Sequence, residues 1–156
     1  MFRILLAEDN PGDVLLFREA LKSCSFPCEL LVAENGQKAI EMVRTRSEAG
    51  PGGGLDLAVL DVNLPKHNGD EILRRIRLEP ALKSLPVVML SSSAWPADEQ
   101  RAGELGATLF LQKPSALDQL LEIAKIIEAL LAGTWVGKSS TVSTGPGTAS
   151  LPPQAK

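Results

Sequence analysis

The sequence predicts an α/β protein built as a three-layer sandwich, with a five-stranded parallel sheet at its centre and helices on both faces. Short apolar runs recur along the chain, and longer segments with a helical spacing of apolar residues separate them. Several of the short runs are apolar without alternation, which is typical of strands buried on both faces of a parallel sheet. Because strand and helix alternate along the chain, we expect one repeated strand–helix unit throughout.

The predicted strands are short runs of Leu, Val, Ala and other apolar residues. None of these runs approaches the length that a transmembrane helix needs. The N-terminal segment MFRILLAEDN reaches acidic residues too early for a signal peptide. We therefore expect a cytoplasmic protein without a membrane partner. The strands are expected at residues 3–7, 29–33, 57–60, 86–90 and 108–112.

The helices between the strands are predicted from capping residues and apolar stripes. Asn10 and Pro11 are typical of a helix start, and Gly106 is typical of a helix end. Ser115 is expected to cap the last helix, with Asp118 in its favourable first turn. The helices are expected from Asn10 to Leu21, from about Asn35 past Val43, and over residues 70–78, 96–105 and 115–131.

One folded domain is expected over residues 1–132, followed by a disordered tail over residues 133–156. The tail is rich in Ser, Thr, Gly and Pro, a composition that does not support a packed core. Trp135 and Val136 are the tail residues that could fold back onto the domain. The segment SEAGPGGG, residues 47–54, predicts a flexible connection before the third strand.

Composition and charge exclude several classes of protein. The chain of 156 residues carries a net charge of −3, and an acidic domain binds nucleic acid poorly because phosphate contacts need clustered Lys and Arg. Arg74, Arg75 and Arg77 form a small group that we interpret as a solvated helix face. Cys24 and Cys28 lack the spacing and the partners of a zinc site. Two idle thiols are favoured there over one loop disulfide.

Polar side chains follow four of the predicted strands. Loops at the carboxyl ends of parallel strands meet at one edge of the sheet, where α/β proteins bind their ligands. Three carboxylates at such an edge repel one another unless a cation lies among them, and a site of oxygen ligands favours Mg²⁺. The residues concerned are Glu8 and Asp9 after the first strand, Asp61 after the third, Ser91 after the fourth and Lys113 after the fifth.

The same residues are suited to phosphoryl transfer. Lys113 and the hydroxyl of Ser91 could hold phosphoryl oxygens, because positioning and charge neutralisation are most of what this reaction needs. A carboxylate can itself accept the phosphoryl group and form an aspartyl phosphate. Each residue alone is weak support, but their occurrence on successive strand ends is specific.

These segments carry a family resemblance. The chain resembles the receiver domain of two-component response regulators over residues 3–131, at LLAEDN, LAVLDVNLPKHNG, PVVMLSSS and LGATLFLQKP. The resemblance implies the flavodoxin-like (βα)5 receiver fold. The segments EDNPGDVLLFREAL and DVNLPKHNGDEILRRIR are most similar to single-domain regulators that partner bacterial phytochrome histidine kinases.

The resemblance implies a role for each residue at the acidic edge. Asp61 resembles the phosphoacceptor, and Asp9 a direct Mg²⁺ ligand. Glu8 would act on the metal through water, and the backbone carbonyl of Asn63 would be a third protein ligand. Glu8 stands where Asp is commoner in the family, a variation that keeps the carboxylate.

The resemblance also implies the parts of a switch. Ser91, in place of the commoner Thr, resembles the hydroxyl that turns toward the phosphoryl group. Lys113 resembles the lysine that binds a phosphoryl oxygen, and the peptide bond between Lys113 and Pro114 is expected to be cis. Phe110 falls at the aromatic switch position, although plain strand-face core is an equal alternative for it.

The implied function is that of a stand-alone response regulator in a phosphorelay. A sensor histidine kinase, of the phytochrome type on the finer resemblance, would be the phosphodonor. Phosphorylation would switch the surface of the fourth helix, fifth strand and fifth helix, with Trp95 at its edge, for binding a partner or a second copy of the chain. Such a protein catalyses only its own phosphoryl transfer and dephosphorylation.

Other functions stay open as alternatives. A phosphohydrolase of the haloacid dehalogenase type needs a second acid at position 63, where this chain has Asn63. A flavodoxin-like cofactor carrier needs a phosphate-binding loop after the first strand, and EDNPGD is acidic there. No segment after Leu131 predicts a DNA-binding domain, and His67 in a polar turn does not indicate a histidine phosphotransfer protein. A receiver-like interaction module that is never phosphorylated is the last alternative.

Overall fold

The computed structural model describes residues 1–50, 54–93 and 95–133. Strands and helices alternate strictly over these residues. The strands are β1 (Phe2–Ala7), β2 (Cys28–Ala33), β3 (Leu57–Asp61), β4 (Val87–Ser91) and β5 (Leu109–Gln112). The helices are α1 (Pro11–Leu21), α2 (Gly36–Glu48), α3 (Gly69–Leu78), α4 (Pro96–Leu105) and α5 (Leu117–Ala132).

The strands form one parallel sheet in the order β2-β1-β3-β4-β5. Neighbouring strands are in register, so that Leu6 pairs with Val59 and Asp61 pairs with Leu90. The predicted three-layer sandwich is confirmed. β3 and β4 each extend one residue beyond the predicted end, so Asp61 and Ser91 are the last residues of their strands.

Successive strand residues pack on opposite faces of the sheet and build two apolar layers. Leu5 and Leu60 belong to the layer that includes α2, α3 and α4, whereas Leu6 and Val59 belong to the layer with α1 and α5. Because both faces are covered, β3 and β4 are buried along their whole length. The phosphoacceptor candidate therefore ends a strand that cannot easily shift.

Side-chain caps fix the starts of three helices at the ligand edge of the sheet. The Asn10 side chain accepts hydrogen bonds from the backbone N–H groups of Gly12 and Asp13, as predicted. Asn35 caps α2 in the same way. Asn68 and Glu71 form a reciprocal capping box, which starts α3 at Gly69, one residue earlier than predicted.

Two local predictions are wrong. Ser115 does not cap the last helix, because α5 begins only at Leu117 and the N-cap position falls on Ala116. Ser47 is not in a flexible connection, since it lies in α2 and its hydroxyl donates to Glu79 at 2.6 Å. The middle of that connection and the predicted tail after residue 133, with Trp135 and Val136, lie outside the described residues.

Arg77 is not part of a solvated face, contrary to the prediction for the Arg74–Arg77 group. Its guanidinium donates to the backbone carbonyls of Gly106, at 2.7 and 3.0 Å, of Lys83 at 3.0 Å and of Leu85 at 2.8 Å. Burial lowers the pKa of Arg77. The left-handed backbone of Gly106 (φ 100°) brings this turn against the arginine. The loops after α3 and α4 are thus both hydrogen-bonded to the Arg77 side chain. The composition of the chain could not indicate this arrangement.

Cys24 and Cys28 are free thiols, as favoured from the sequence. The pKa of Cys24 is raised to about 11, mainly because the thiol is buried. Both groups therefore stay protonated at neutral pH, where a thiol is a poor nucleophile and a poor metal ligand. Among the described residues, no helix is both long and apolar enough to span a bilayer.

Replacing Arg77 with Ala is expected to lower the free energy of unfolding by about 2 to 3 kcal/mol. The change removes charge-assisted hydrogen bonds and leaves buried carbonyls without their donor. Urea denaturation measures the loss. Arg74→Ala is the matched control, because Arg74 is an exposed arginine on the same helix. The control should change stability by less than about 0.5 kcal/mol, and equal losses in both variants would contradict the role of Arg77.

Candidate functional site

Three carboxylates converge at the carboxyl edge of the sheet, as predicted. β1 pairs with β3 in such a register that Ala7 lies beside Leu60, so the residues that follow are also neighbours. Oxygen atoms of Glu8, Asp9 and Asp61 lie within 4.8 Å of one another. Glu8 and Asp61 are each only 4% exposed, and Asp9 is exposed to solvent.

Lys113 supplies the positive charge that compensates this cluster. Its Nζ lies 2.8 Å from Asp61 Oδ2 and 2.9 Å from Glu8 Oε1. It also lies 3.2 Å from Asp13 Oδ2. The Lys113 N–H donates to the carbonyl of Ser91 at 2.6 Å, which extends the ladder between β4 and β5 by one residue. That hydrogen bond places the side chain so that it reaches across the end of β4 to Asp61.

The pKa shifts follow from burial and from this pairing. Burial raises the pKa of Glu8, and the hydrogen bond from Lys113 only partly opposes the shift, while Asp61 raises it further. Burial alone would lower the pKa of Lys113, but its hydrogen bonds with Asp61 and Glu8 outweigh burial and raise it. The lysine therefore stays protonated throughout the physiological range.

The turn after β3 fixes the second oxygen of Asp61. The backbone N–H of Asn63 donates to Asp61 Oδ1 at 3.0 Å. Behind the turn, a Cβ on Gly69 would lie only 2.7 Å from the Asp61 carbonyl oxygen, which no side chain tolerates. A Cβ on Gly36 would lie 1.9 Å from the carbonyl oxygen of His67. Two glycines thus let α2 and α3 close against the turn that positions the acceptor candidate.

The side chains at this edge fit a hard divalent cation. Glu8, Asp9 and Asp61 offer only oxygen ligands, which Mg²⁺ and Mn²⁺ accept. With Asp13 the edge carries four carboxylates, and three of them pair with the ammonium of Lys113, so negative charge remains in excess. Asp13 was missed in the sequence, although its position one turn after Asn10 on the start of α1 could have indicated it.

The side chains of Ser91 and Phe110 make their contacts with residues other than the three carboxylates. Ser91 is buried, and its Oγ accepts a hydrogen bond from the Ser93 N–H at 3.2 Å. The Ser93 hydroxyl in turn lies 3.5 Å from Asp98 Oδ2 in α4. Phe110 is buried in the apolar layer of α2, α3 and α4, as the strand-face alternative predicted.

The expected cis bond between Lys113 and Pro114 is absent, since the described residues contain no cis peptide bond. A trans bond is the lower-energy form before proline by about 0.5–1 kcal/mol. The contacts of Lys113 with Glu8 and Asp61 are all made with the trans bond. Lys113 therefore reaches Glu8 and Asp61 without a cis bond before Pro114.

The comparison with known proteins decides the family. Residues 4–125 match the response regulator receiver domain family. The chain belongs to this family. It is 34% identical over 126 residues to the response regulator Rcp1 of a Synechocystis species, covering 81% of this chain and 86% of that protein.

Solved structures agree with the family and the fold. The phosphorylated cyanobacterial phytochrome response regulator RcpA is 36% identical, with a TM-score of 0.75, and the match covers 86% of this chain and 96% of that one. The Mn²⁺-bound form of Rcp1 is 34% identical, with a TM-score of 0.71 and coverages of 83% and 93%. The receiver domain is thus a signalling module, and its acidic cluster is suited to a divalent metal ion.

Mg²⁺ is expected to stabilise the folded protein through this cluster. At a free concentration about one hundred times the Kd, binding adds about 2.7 kcal/mol to the free energy of unfolding. Thermal unfolding with and without Mg²⁺ measures the effect. Asp9→Asn should abolish most of it, because Asp9 is the exposed carboxylate of the three. Asp118→Asn, an exposed acid in the first turn of α5, is the control that keeps the effect. An unchanged response of Asp9→Asn would contradict the assignment.

Proposed function

We propose that this chain is a stand-alone response regulator that accepts a phosphoryl group on Asp61 in the presence of Mg²⁺. The observation that carries the proposal is the environment of the Asp61 carboxylate. Asp61 is the last residue of a buried strand. One of its carboxylate oxygens pairs with Lys113, and the other accepts a hydrogen bond from the Asn63 N–H. Glu8 and Asp9 lie beside this carboxylate.

In the proposed reaction, a carboxylate oxygen of Asp61 forms a bond to phosphorus as the bond from phosphorus to a histidine nitrogen of the donor breaks. Lys113 pairs with a phosphoryl oxygen while the new charge develops. Glu8, Asp9, Asp61 and the Asn63 carbonyl would hold the metal ion, which neutralises phosphoryl oxygens when bound. Hydrolysis of the aspartyl phosphate by water would return the protein to its resting state.

Phosphorylation would switch the surface of α4, β5 and α5. A phosphoryl group adds about −1.5 to −2 charges and strong acceptor oxygens. Ser91 could turn its hydroxyl toward them, and its contact with Ser93 would then change. Since the Ser93 hydroxyl lies 3.5 Å from Asp98 on α4, a movement of Ser91 has a short route to that helix. Phe110, buried beneath α4, would repack with it.

A sensor histidine kinase is the proposed phosphodonor, and a cytoplasmic location is proposed with it. The relatives RcpA and Rcp1 support this assignment, because RcpA is described as a phytochrome response regulator. A phytochrome-type kinase is therefore the first donor to test. A phosphohydrolase of the haloacid dehalogenase type is not favoured, since Asn63 occupies the position of its second acid.

Incubation with Mg²⁺ and acetyl phosphate should add one phosphoryl mass to the intact protein. Asp61→Asn should add none, because the only change is at the proposed acceptor. Asp118→Asn should react like the unaltered chain, since Asp118 is an exposed acid of α5. Intact-mass spectrometry with and without Mg²⁺ gives the result.

Phosphoramidate provides a second donor, with the phosphorus–nitrogen bond of a phosphohistidine. If neither donor nor a phosphorylated histidine kinase adds the mass, the chain is a receiver-like interaction module instead. If Asp61→Asn still gains the mass, the acceptor is another residue.

A stable phosphoryl mimic should convert the protein to a homodimer through the surface of α4, β5 and α5. Beryllofluoride with Mg²⁺ is expected to shift gel-filtration elution to the dimer. Trp95→Ala should weaken that shift, because Trp95 is 68% exposed at the start of α4 and an exposed indole is a strong interface residue. Leu78→Ala, which removes an exposed apolar side chain at the end of α3, is the control. An unchanged elution profile would contradict the proposed dimer switch but not the proposed phosphorylation of Asp61.

A further inference from the structure

Helix α4 is held to the sheet by much less apolar surface than the helix that follows it. Its buried residues are Glu99 and Ala102. Helix α5 buries Leu120, Ile123, Ala124, Ile126 and Ile127. Leu105 of α4 is only partly buried against the core. Because burial of apolar area is the main force that seats a helix on a sheet, α4 is held in the position described less firmly than α5.

Glu99 occupies one of the two positions that α4 buries. Only 8% of the residue is exposed, and it lies one turn before Ala102 on the same helix face. Its Oε2 has no hydrogen-bond partner among the described residues. Burial raises the pKa of this carboxyl, as expected where no cation compensates it. A carboxylate in such a place destabilises the position that buries it.

The hydrogen bonds from Arg77 to Gly106 anchor the C-terminal end of α4, but the other polar attachments of this helix are weak. Trp95 at its start gives no side-chain cap hydrogen bond. Gly103 lies inside the helix, where a Cβ would meet no atom within 4 Å, so this glycine serves no close approach and only lowers helix stability. Arg101 pairs with Asp70 of α3 at 2.7 Å and with Asp98 at 3.0 Å. The Arg101 side chain is half exposed, and exposed ion pairs contribute little.

We propose that Glu99 is a positioning residue that holds α4 close to equilibrium between the position described and a displaced one in which the carboxylate reaches water. The inference deepens the proposed function, since phosphorylation of Asp61 would act on this equilibrium. Ser91, Ser93 and Asp98 link the end of β4 to the same helix. The carboxylate of Glu99 destabilises the resting position of α4 before Asp61 is phosphorylated.

The two effects are coupled in both directions. If phosphorylation favours the displaced position of α4, then a change that stabilises the resting position must disfavour the phosphorylated form at equilibrium. An apolar residue of the same length at position 99 would stabilise the resting position. It would therefore tighten α4 and lower the phosphorylated fraction without touching the acidic edge of the sheet.

Glu99→Met is the decisive variant, because Met has the length of Glu and no group that needs a partner. Hydrogen exchange in the unphosphorylated protein should show about tenfold greater protection of the α4 amides, while α5 changes little. The estimate corresponds to relief of one unsatisfied buried polar group. Glu104→Met is the matched control, since Glu104 is an exposed acid on the same helix and its replacement should leave protection unchanged.

Glu99→Gln tests the charge separately and keeps the side chain's shape. Its protection should rise in the same direction by a smaller factor, because an amide is cheaper to bury than a carboxylate. This variant also decides the question if the Met side chain disturbs packing. Unchanged α4 protection in both Glu99 variants, or an equal rise in Glu104→Met, would overturn the proposal.

Phosphorylation by acetyl phosphate gives the second readout. The ratio of phosphorylated to unphosphorylated Glu99→Met at equilibrium should fall several-fold relative to the unaltered chain, and that of Glu104→Met should not. Protection that rises while this ratio stays constant would overturn the link to phosphorylation and leave the proposed function intact. Absence of phosphorylation in the unaltered chain would overturn the proposed function, and the exchange experiment would still decide the role of Glu99 in seating α4.

Discussion

The ion pairs of Lys113 with Glu8 and Asp61 are the interaction on which the site depends. Two buried carboxylates at adjacent strand ends repel each other, and each also loses its hydration. One ammonium, 2.8 to 2.9 Å from both, makes their burial tolerable. The parallel sheet makes this possible, because it brings the ends of β1, β3 and β5 to one edge. The buried position of the Asp61 carboxylate is thus one that would be unfavourable without Lys113.

The element order and the acidic edge could be predicted because they rest on patterns within short segments. Apolar runs fix the strands, and the residues after them must meet wherever parallel strands end. Arg77 could not be predicted, because its partners are carbonyls on two turns that approach it only in the folded chain. Ser115 failed as a cap because α5 begins two residues later, which leaves Ala116 at the N-cap position. Asp13 was missed because a helix position, not a strand end, brings it to Lys113.

The helices on the two faces of the sheet differ in how firmly they pack against it. The layer with α1 and α5 includes the long buried apolar face of α5. In the opposite layer, α4 contributes Ala102 and the partly buried Leu105 beside the buried Glu99. Regions with few buried apolar contacts open at a lower free energy than the rest of a protein. A signal from the proposed phosphorylation of Asp61 would thus meet a firmly packed layer on one face of the sheet and a more weakly held helix on the other.

The separation of Glu8 and Lys113 by 105 residues has a consequence for the folding of the chain. The buried acids lie at the carboxyl ends of the first and third strands, while the ammonium that compensates them follows the fifth. During synthesis the negative charges emerge first, and their partner arrives near the end of the domain. Until β5 joins the sheet, the acids must stay hydrated or protonated, so the sheet edge cannot close early. The candidate site is therefore complete only when β5, the last strand, has joined the sheet.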